Sequence, residues 1–296
     1  MGPKGLMLVF SRSADWCPYC KTQMLELQSR VQEIKSRGLG LAVVTYDSPA
    51  ILADFTARRG ITYPMLSDTG SSIIKRYGIL NTTVDSGSTD YGIPFPGTFI
   101  LDTHGVVIAK FFEDAYQERT TVSNMMLKLG QAGAGVTARR ASTAHLDLTT
   151  YASDPVVAPG SLFSLVFDVA PHKGVHVYAP GPHGYKVIAV RLDPNPLVVA
   201  RPVQYPAAQT YLFAPLNEHV QVYEKPFRLT EDISVDGSRE ARARLASIDS
   251  VTITGTLDYQ ACNDTLCFNP TSVPLSYTVK LRQLDTERAR VPSASR

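Results

Sequence analysis

Residues 6–20 read LMLVFSRSADWCPYC, and the way this stretch folds decides the architecture of the first half of the chain. Gly5 to Phe10 is an apolar run with the look of a buried strand. Cys17 and Cys20 follow two residues apart, with Pro18 suited to a first helical turn, where no backbone N–H is missed. Met24, Leu27, Val31 and Ile34 then recur at spacings of three and four, one face of an amphipathic helix that Gly38 closes. A helix start presents unpaired N–H groups and the positive end of the dipole. A thiolate placed there is stabilised, and its pKa falls below the free value of about 8.5. Two intervening residues let the second sulfur close on the first, so Cys17 is the expected exposed nucleophile and Cys20 the buried resolver. Zinc and an inert buried pair are the alternatives, and zinc needs further ligands. Residues 1–131 hold no other cysteine and a single histidine, His104.

The pattern continues outward as alternating strands and helices. LGLAVVTY (39–46) reads as a second buried strand. Ser48-Pro49 caps and starts a helix over AILADFTARRG (50–60). TYPML (62–66) is a short strand and SSIIKRYG (71–78) a short helix. GTFILD (97–102) and GVVIAKFF (105–112) form a hairpin, and YQERTTVSNMMLKLG (116–130) a last helix. Such alternation is an α/β layer architecture. Near residue 131 the texture changes to GQAGAGVTARRAS (130–142), a flexible linker. Beyond it helical periods vanish. Segments such as SLFSLVFDVA (161–170), SVTITGTLDY (250–259) and VPLSYTVKLR (273–282) are strand-like and separated by turn formers, which predicts a β-sandwich. The expected organisation is 1–131, a linker at 132–142, 143–284, and a flexible, solvated tail at 285–296.

Composition excludes several classes. With 29 basic against 27 acidic residues and no basic run, nucleic acid is not the expected partner. No apolar run approaches the eighteen or so residues that span a bilayer. The four cysteines fall into two local pairs, too few for a disulfide-framework scaffold, so they point to chemistry and to no cofactor beyond the cysteines themselves.

The first motif resembles the active-site strand, turn and helix of the thioredoxin superfamily, specifically redoxins of the AhpC/TSA type, over roughly residues 5–130. PFPGTFILDTHGVV (94–107) resembles their second signature. That resemblance implies a cis-proline at Pro96 preceded by Phe95, with Pro94 as the alternative, lying against the cysteine pair, with Trp16, Pro18 and Tyr19 as supporting residues around Cys17. Two departures matter. Where peroxiredoxins carry proline and threonine ahead of the peroxidatic cysteine, this chain has Phe10 and Ala14, which counts against peroxidase activity. Where thioredoxins bury an acid six residues before the first cysteine it has Ser11, and the helical glutamate of related redoxins is Gln23. The proton acceptor for Cys20 is left to the weak candidates Asp15 and Glu26.

Cys262 and Cys267 are separated by Asn263-Asp264-Thr265-Leu266, a spacing too long for a redox helix start but suited to a hairpin turn. A static staple and a zinc half-site, with His172 and His176 as its complement, are the alternatives. The surrounding words VHVYAPGPHGY (175–185), VQVYEKPF (220–227) and YQACNDTLCFNPTSVPL (259–275) resemble the N-terminal domain of DsbD over roughly 143–283. The resemblance implies an immunoglobulin-like fold, Cys262 and Cys267 as an exchanging pair, and Tyr259 as a nearby shielding aromatic.

Taken together, the expectation is an α/β thioredoxin-like domain followed by an all-β immunoglobulin-like sandwich, acting as a thiol–disulfide oxidoreductase. Its partners would be protein thiols and disulfides, with a membrane thiol reductase or glutathione as reductant, since Pro-Tyr is the glutaredoxin dipeptide. A thiol peroxidase is the second reading, and a non-catalytic binding module the third. The resemblances imply a periplasmic or extracytoplasmic site of action with a leader missing ahead of Met1; a cytoplasmic site is the alternative.

Overall fold

The computed structural model describes residues 1–131, 137–213 and 217–290. They form two compact units. The first comprises Met1–Gly130, Ala158–Ser161 and the described part of residues 283–296; the second comprises the described residues of Gln131–Val157 and Leu162–Arg282.

The first unit is built from β1 (Gly5–Phe10), α1 (Pro18–Ser36), β2 (Leu39–Thr45), α2 (Pro49–Arg59), β3 (Met65–Ser67), α3 (Ser72–Arg76), β4 (Gly97–Leu101), β5 (Val107–Phe112), β6 (Arg119–Thr120) and α4 (Val122–Lys128). The sheet order is β3-β2-β1-β4-β5. β1, β2 and β3 are parallel, whereas β4 and β5 run antiparallel as a hairpin at the other side of β1. β1 is therefore central and buried on both faces, which is why LMLVF lacks a polar alternation. The apolar face of α1, with Met24, Leu27, Val31 and Ile34, packs in one cluster with Met7, Val9 and Val43. Ser48 caps α2 through Ile51 N, and Gly60 ends it in the left-handed conformation (φ 62°) that favours glycine. This is the thioredoxin-like α/β fold.

The expected helix over 116–130 is corrected at its start. Thr121 is the N-cap of α4, its hydroxyl accepting from Asn124 N, and Arg119–Thr120 are extended before it. Two consecutive threonines are poor helix interior and good cap, so the helix begins late. The expected solvated tail is also corrected. Up to Arg290 it packs on the first unit. Asp285 N donates to Thr22 Oγ1 (3.0 Å), Lys21 Nζ to Glu287 O (2.6 Å), and Arg288 forks onto buried Asp15 (2.8 and 2.7 Å). Arg59 pairs with Asp285 (2.8 Å). Charges that read as solvated in sequence find buried or fixed counter-charges here.

The second unit is an all-β sandwich of the immunoglobulin-like type. One sheet orders Val198–Ala200, Phe227–Val235, Ser161–Pro171, Leu146–Ala152 and Arg139–Ser142; another orders Ala189–Leu192, Ser250–Tyr259, Thr271–Leu281 and Val156–Val157. Along Ser250–Tyr259 and Thr271–Leu281 buried and exposed residues alternate, and the inward set joins Phe163, Phe167, Leu229 and Ile233 in one core. A smaller sheet, Gln209–Phe213, Glu218–Tyr223, His176–Tyr178 and Ala261–Cys262, carries the second cysteine pair. Of the expected linker, residues 132–136 lie outside the described residues. Arg139–Ser142 is not linker but a strand paired with Leu146–Ala152, because its extended backbone completes that sheet's edge. A short helix, Arg239–Leu245, capped by Ser238, was not expected from the sequence.

Candidate functional site: two cysteine pairs

Cys17 is the N-cap of α1, in extended conformation, with Pro18 in the first turn and no side chain capping the helix. The free N–H groups of the first turn are thus left to the cysteine itself. Cys17 and Cys20 are joined as a disulfide with Cα atoms 5.3 Å apart. Both cysteines are buried, Cys17 to 1% exposure, which corrects the expectation of an exposed nucleophile. In the oxidised pair Cys17 packs in the apolar cluster with Ala14, Tyr19 and Met24.

The loop from β1 to Cys17 is braced by a buried carboxylate, Asp47. It accepts from Ser13 Oγ (2.8 Å), Ala14 N (2.7 Å) and Thr45 Oγ1 (2.9 Å). Burial pushes the Asp47 carboxyl above its ordinary range, against the pull of these hydrogen bonds. Ser13 Oγ in turn accepts from Asp15 N and Trp16 N. Trp16 Nε1 donates to Tyr46 Oη (2.8 Å), and the Arg12 guanidinium lies 4.8 Å from the Trp16 ring centre and 4.7 Å from that of Tyr116. Tyr19 meets Tyr116 edge to face. A cleft of about 810 Å³ opens beside Trp16, lined among others by Tyr46, Asp90, Tyr91 and Arg288.

No peptide bond is cis among the described residues, so the expected cis bond at Pro96 is corrected to trans. Trans is the lower-energy isomer, and a Leu80–Pro94 bridge with Phe95 N donating to Ile79 O (2.7 Å) holds this loop. Phe95 is exposed, and Pro96 lines a small cleft with Gln23 and Arg119. Neither weak candidate for the proton acceptor is free. Asp15 is held by Arg288, and Glu26 accepts from Val122 N (2.8 Å). What the sequence reading missed is Arg119, whose Nη2 donates to Cys20 Sγ at 3.2 Å. No motif marks an arginine so far along the chain; only the fold of β6 brings it there.

In the second unit, Cys262 and Cys267 are disulfide-bonded across a tight turn, Cα atoms 4.0 Å apart. Asn263 makes that turn: its Oδ1 accepts from Leu266 N (2.7 Å) and Thr265 N (3.0 Å). Tyr178 Oη lies 3.2 Å from Cys262 Sγ and 3.4 Å from Cys267 Sγ. Its ring stacks on Tyr185, with centres 4.4 Å apart, and burial pushes its phenol up to about 12. Tyr259 is not the shield: it sits in the sandwich core and donates to Thr143 Oγ1 (2.8 Å). Tyr178, Tyr185 and Tyr211 cluster with the cysteines instead, because strand alternation turns Tyr259 inward. His176 is in register with Cys262, and burial holds its imidazole below the ordinary range. Among the described residues no group of three or more His, Cys, Asp and Glu side chains is placed to share a metal ion.

Residues 2–110 match the AhpC/TSA family, and residues 149–275 match the N-terminal region of the thiol:disulfide interchange protein DsbD. Two successive segments of the chain are thus similar to two different families. Similar curated proteins include one named "Putative peroxiredoxin" from Mycobacterium tuberculosis, 26% identical over 106 residues, covering 36% of this chain and 67% of that protein. Another is the thiol-disulfide oxidoreductase ResA of Halalkalibacterium halodurans, 26% identical over 106 residues, covering 36% of this chain and 52% of that one. Among solved structures, AhpC of Enterococcus faecalis aligns at 20% identity over 43% of this chain and 74% of its own, with a TM-score of 0.37. The similar proteins named for the AhpC/TSA segment are a peroxiredoxin and a thiol–disulfide oxidoreductase, which supports a redox enzyme activity.

Proposed function

We propose that the chain is a thiol–disulfide oxidoreductase that reduces protein disulfides, with Cys17 as nucleophile and Cys20 as resolving cysteine. The observation that carries this reading is the Cys17–Cys20 pair at an uncapped helix start, where the first-turn N–H groups and dipole favour a thiolate. Cys262 and Cys267 act as a second exchanging pair, a role supported by the DsbD N-terminal match and by the Tyr178 phenol within reach of both sulfurs. Trp16 and Phe95 offer surface to the incoming partner, while Pro18, Tyr19 and Pro96 shape the pair's surroundings. The same match supports an extracytoplasmic site of action, with a membrane thiol reductase or glutathione as the electron donor.

Measuring both reduction potentials, each pair isolated by Cys→Ser substitution, tests the reading. Exchanging pairs should lie above about −300 mV, and a value well below it would mark a static staple. Exchange between the two pairs is tested by a Cys20→Ser, Cys267→Ser double variant, which should accumulate a Cys17–Cys262 bridge. A thiol peroxidase is the second reading, favoured by the peroxiredoxin relative and opposed by Phe10 and Ala14. Stopped-flow oxidation by hydrogen peroxide at the rate of an ordinary free thiol would exclude it.

A further inference from the structure

Arg119 is buried, yet no carboxylate among the described residues forms an ion pair with it. Its Nη1 donates to the carbonyls of Tyr116 (2.7 Å) and Glu118 (2.6 Å), its Nε has no partner, and its Nη2 points at Cys20 Sγ (3.2 Å). An unpaired buried cation is costly, and carbonyl dipoles compensate only part of a full charge. Burial, reinforced by the nearby Arg12 cation, pushes the guanidinium down to about 9. Of the acceptors to which Arg119 donates, the two carbonyls stay neutral and Cys20 Sγ becomes an anion when the disulfide is reduced, while the Tyr19 phenol acts on the guanidinium electrostatically.

We propose that Arg119 is the electrostatic partner of the Cys20 thiolate, a catalytic residue that touches the resolving sulfur and favours its ionised form. The inference rests on the oxidoreductase reading and deepens it. It answers how Cys20 loses its proton when Ser11 stands where thioredoxins bury an acid: the proton goes to water, and the remaining anion is held by a fixed cation. In the resolving step a partner sulfur is bonded to Cys17. The Cys20 thiolate attacks Cys17 Sγ, and the Cys17–Cys20 bond forms as the bond to the partner breaks. The electron pair leaves on the partner sulfur, which takes a proton from water. The partner disulfide is reduced by two electrons, and the Cys17/Cys20 dithiol is oxidised by two. Reduction of the pair would also supply the counter-charge that Arg119 lacks, so the arginine stabilises the reduced form.

Other ionisable groups lie around the pair. Arg12 and Tyr19 act on Arg119 directly. Glu113 and Glu118 line its cleft; Glu113 accepts from Thr120 Oγ1 (2.7 Å). Lys21 is held by Glu287 O, and Asp15 by Arg288.

The test uses the full chain with Cys17→Ser, Cys262→Ser and Cys267→Ser, so that Cys20 is the single thiol. Thiolate absorbance is followed against pH, with and without a change at Arg119. Arg119→Met should raise the Cys20 pKa by about one to three units, and Arg119→Lys should restore most of that shift. Arg119→Gln keeps amide donors for the two carbonyls while removing the charge, and should behave like Arg119→Met; it serves if the methionine variant does not fold. An unchanged Cys20 titration in a folded, charge-removed variant overturns the proposal, since a purely structural arginine would not move it. A titration that shifts in a protein unable to reduce protein disulfides would instead overturn the oxidoreductase reading and leave this one standing.

Discussion

The two cysteine pairs sit in opposite chemical settings. Cys17–Cys20 is placed at a helix dipole and faces a guanidinium, in a loop braced by the carboxylate of Asp47. Cys262–Cys267 closes a hairpin turn and faces a phenol that burial keeps neutral, within a cluster of aromatic rings. A fixed positive charge favours a thiolate, whereas a neutral donor with stacked rings serves a neutral thiol or an intact disulfide about equally well. The first pair is therefore arranged for ionised sulfur, and the second for protected sulfur.

The largest expected effect comes from removing the first nucleophile. Cys17→Ser should reduce turnover on a protein disulfide to background while Cys262–Cys267 still forms. Retained turnover would assign the nucleophile to the second pair and reverse the comparison. Next in size is Asp47→Ala, which leaves the Ser13, Ala14 and Thr45 donors without their acceptor and should cost about 3 kcal/mol in urea unfolding. The potential of Cys262–Cys267 should not move, because the bracing is local to the first unit.

Glu231 gives the second unit a pH dependence separate from its sulfur chemistry. Burial raises its carboxyl from 4.5 to about 7, and its Oε2 has no partner. The folded value lies above the unfolded one, so the contribution is fully present below about 4.5 and is lost as pH rises through about 7. Wild-type stability should fall by about 2 kcal/mol across that window, and Glu231→Gln should abolish the fall, read as urea midpoints at several pH values. A matching shift in the Cys262–Cys267 potential would show that stability and redox behaviour are coupled after all. The smallest effect belongs to Tyr178→Phe. Losing one neutral donor is worth about 1 kcal/mol, so the second pair's potential should move by no more than about 20 mV. A larger change would mean that the phenol carries charge in the exchange.

Much of this was legible along the chain. The buried strand LMLVF, the amphipathic spacing of Met24, Leu27, Val31 and Ile34, and Ser48 at a helix start are local signals with local causes. The hairpin turn between Cys262 and Cys267 was readable from Asn263 for the same reason. The errors were non-local. Tyr259 is only three residues from Cys262, yet strand alternation sends it to the core, while Tyr178, 84 residues away, reaches the sulfur. The stretch up to Arg290 read as a solvated end because its charges have no partners in sequence; Asp15, Lys21 and Arg59 supply them in space.

The sequence by itself determined that there are two cysteine pairs on two differently built units. The periods of three to four and of two, with the turn and cap residues between them, are properties of neighbouring residues along one segment. Only the tertiary structure decided what each sulfur faces. Arg119 lies 99 residues beyond Cys20, and its guanidinium reaches Sγ because β6 is laid down beside the helix start. Electrostatic partners are chosen by distance through the fold, and no pattern along the chain records that distance.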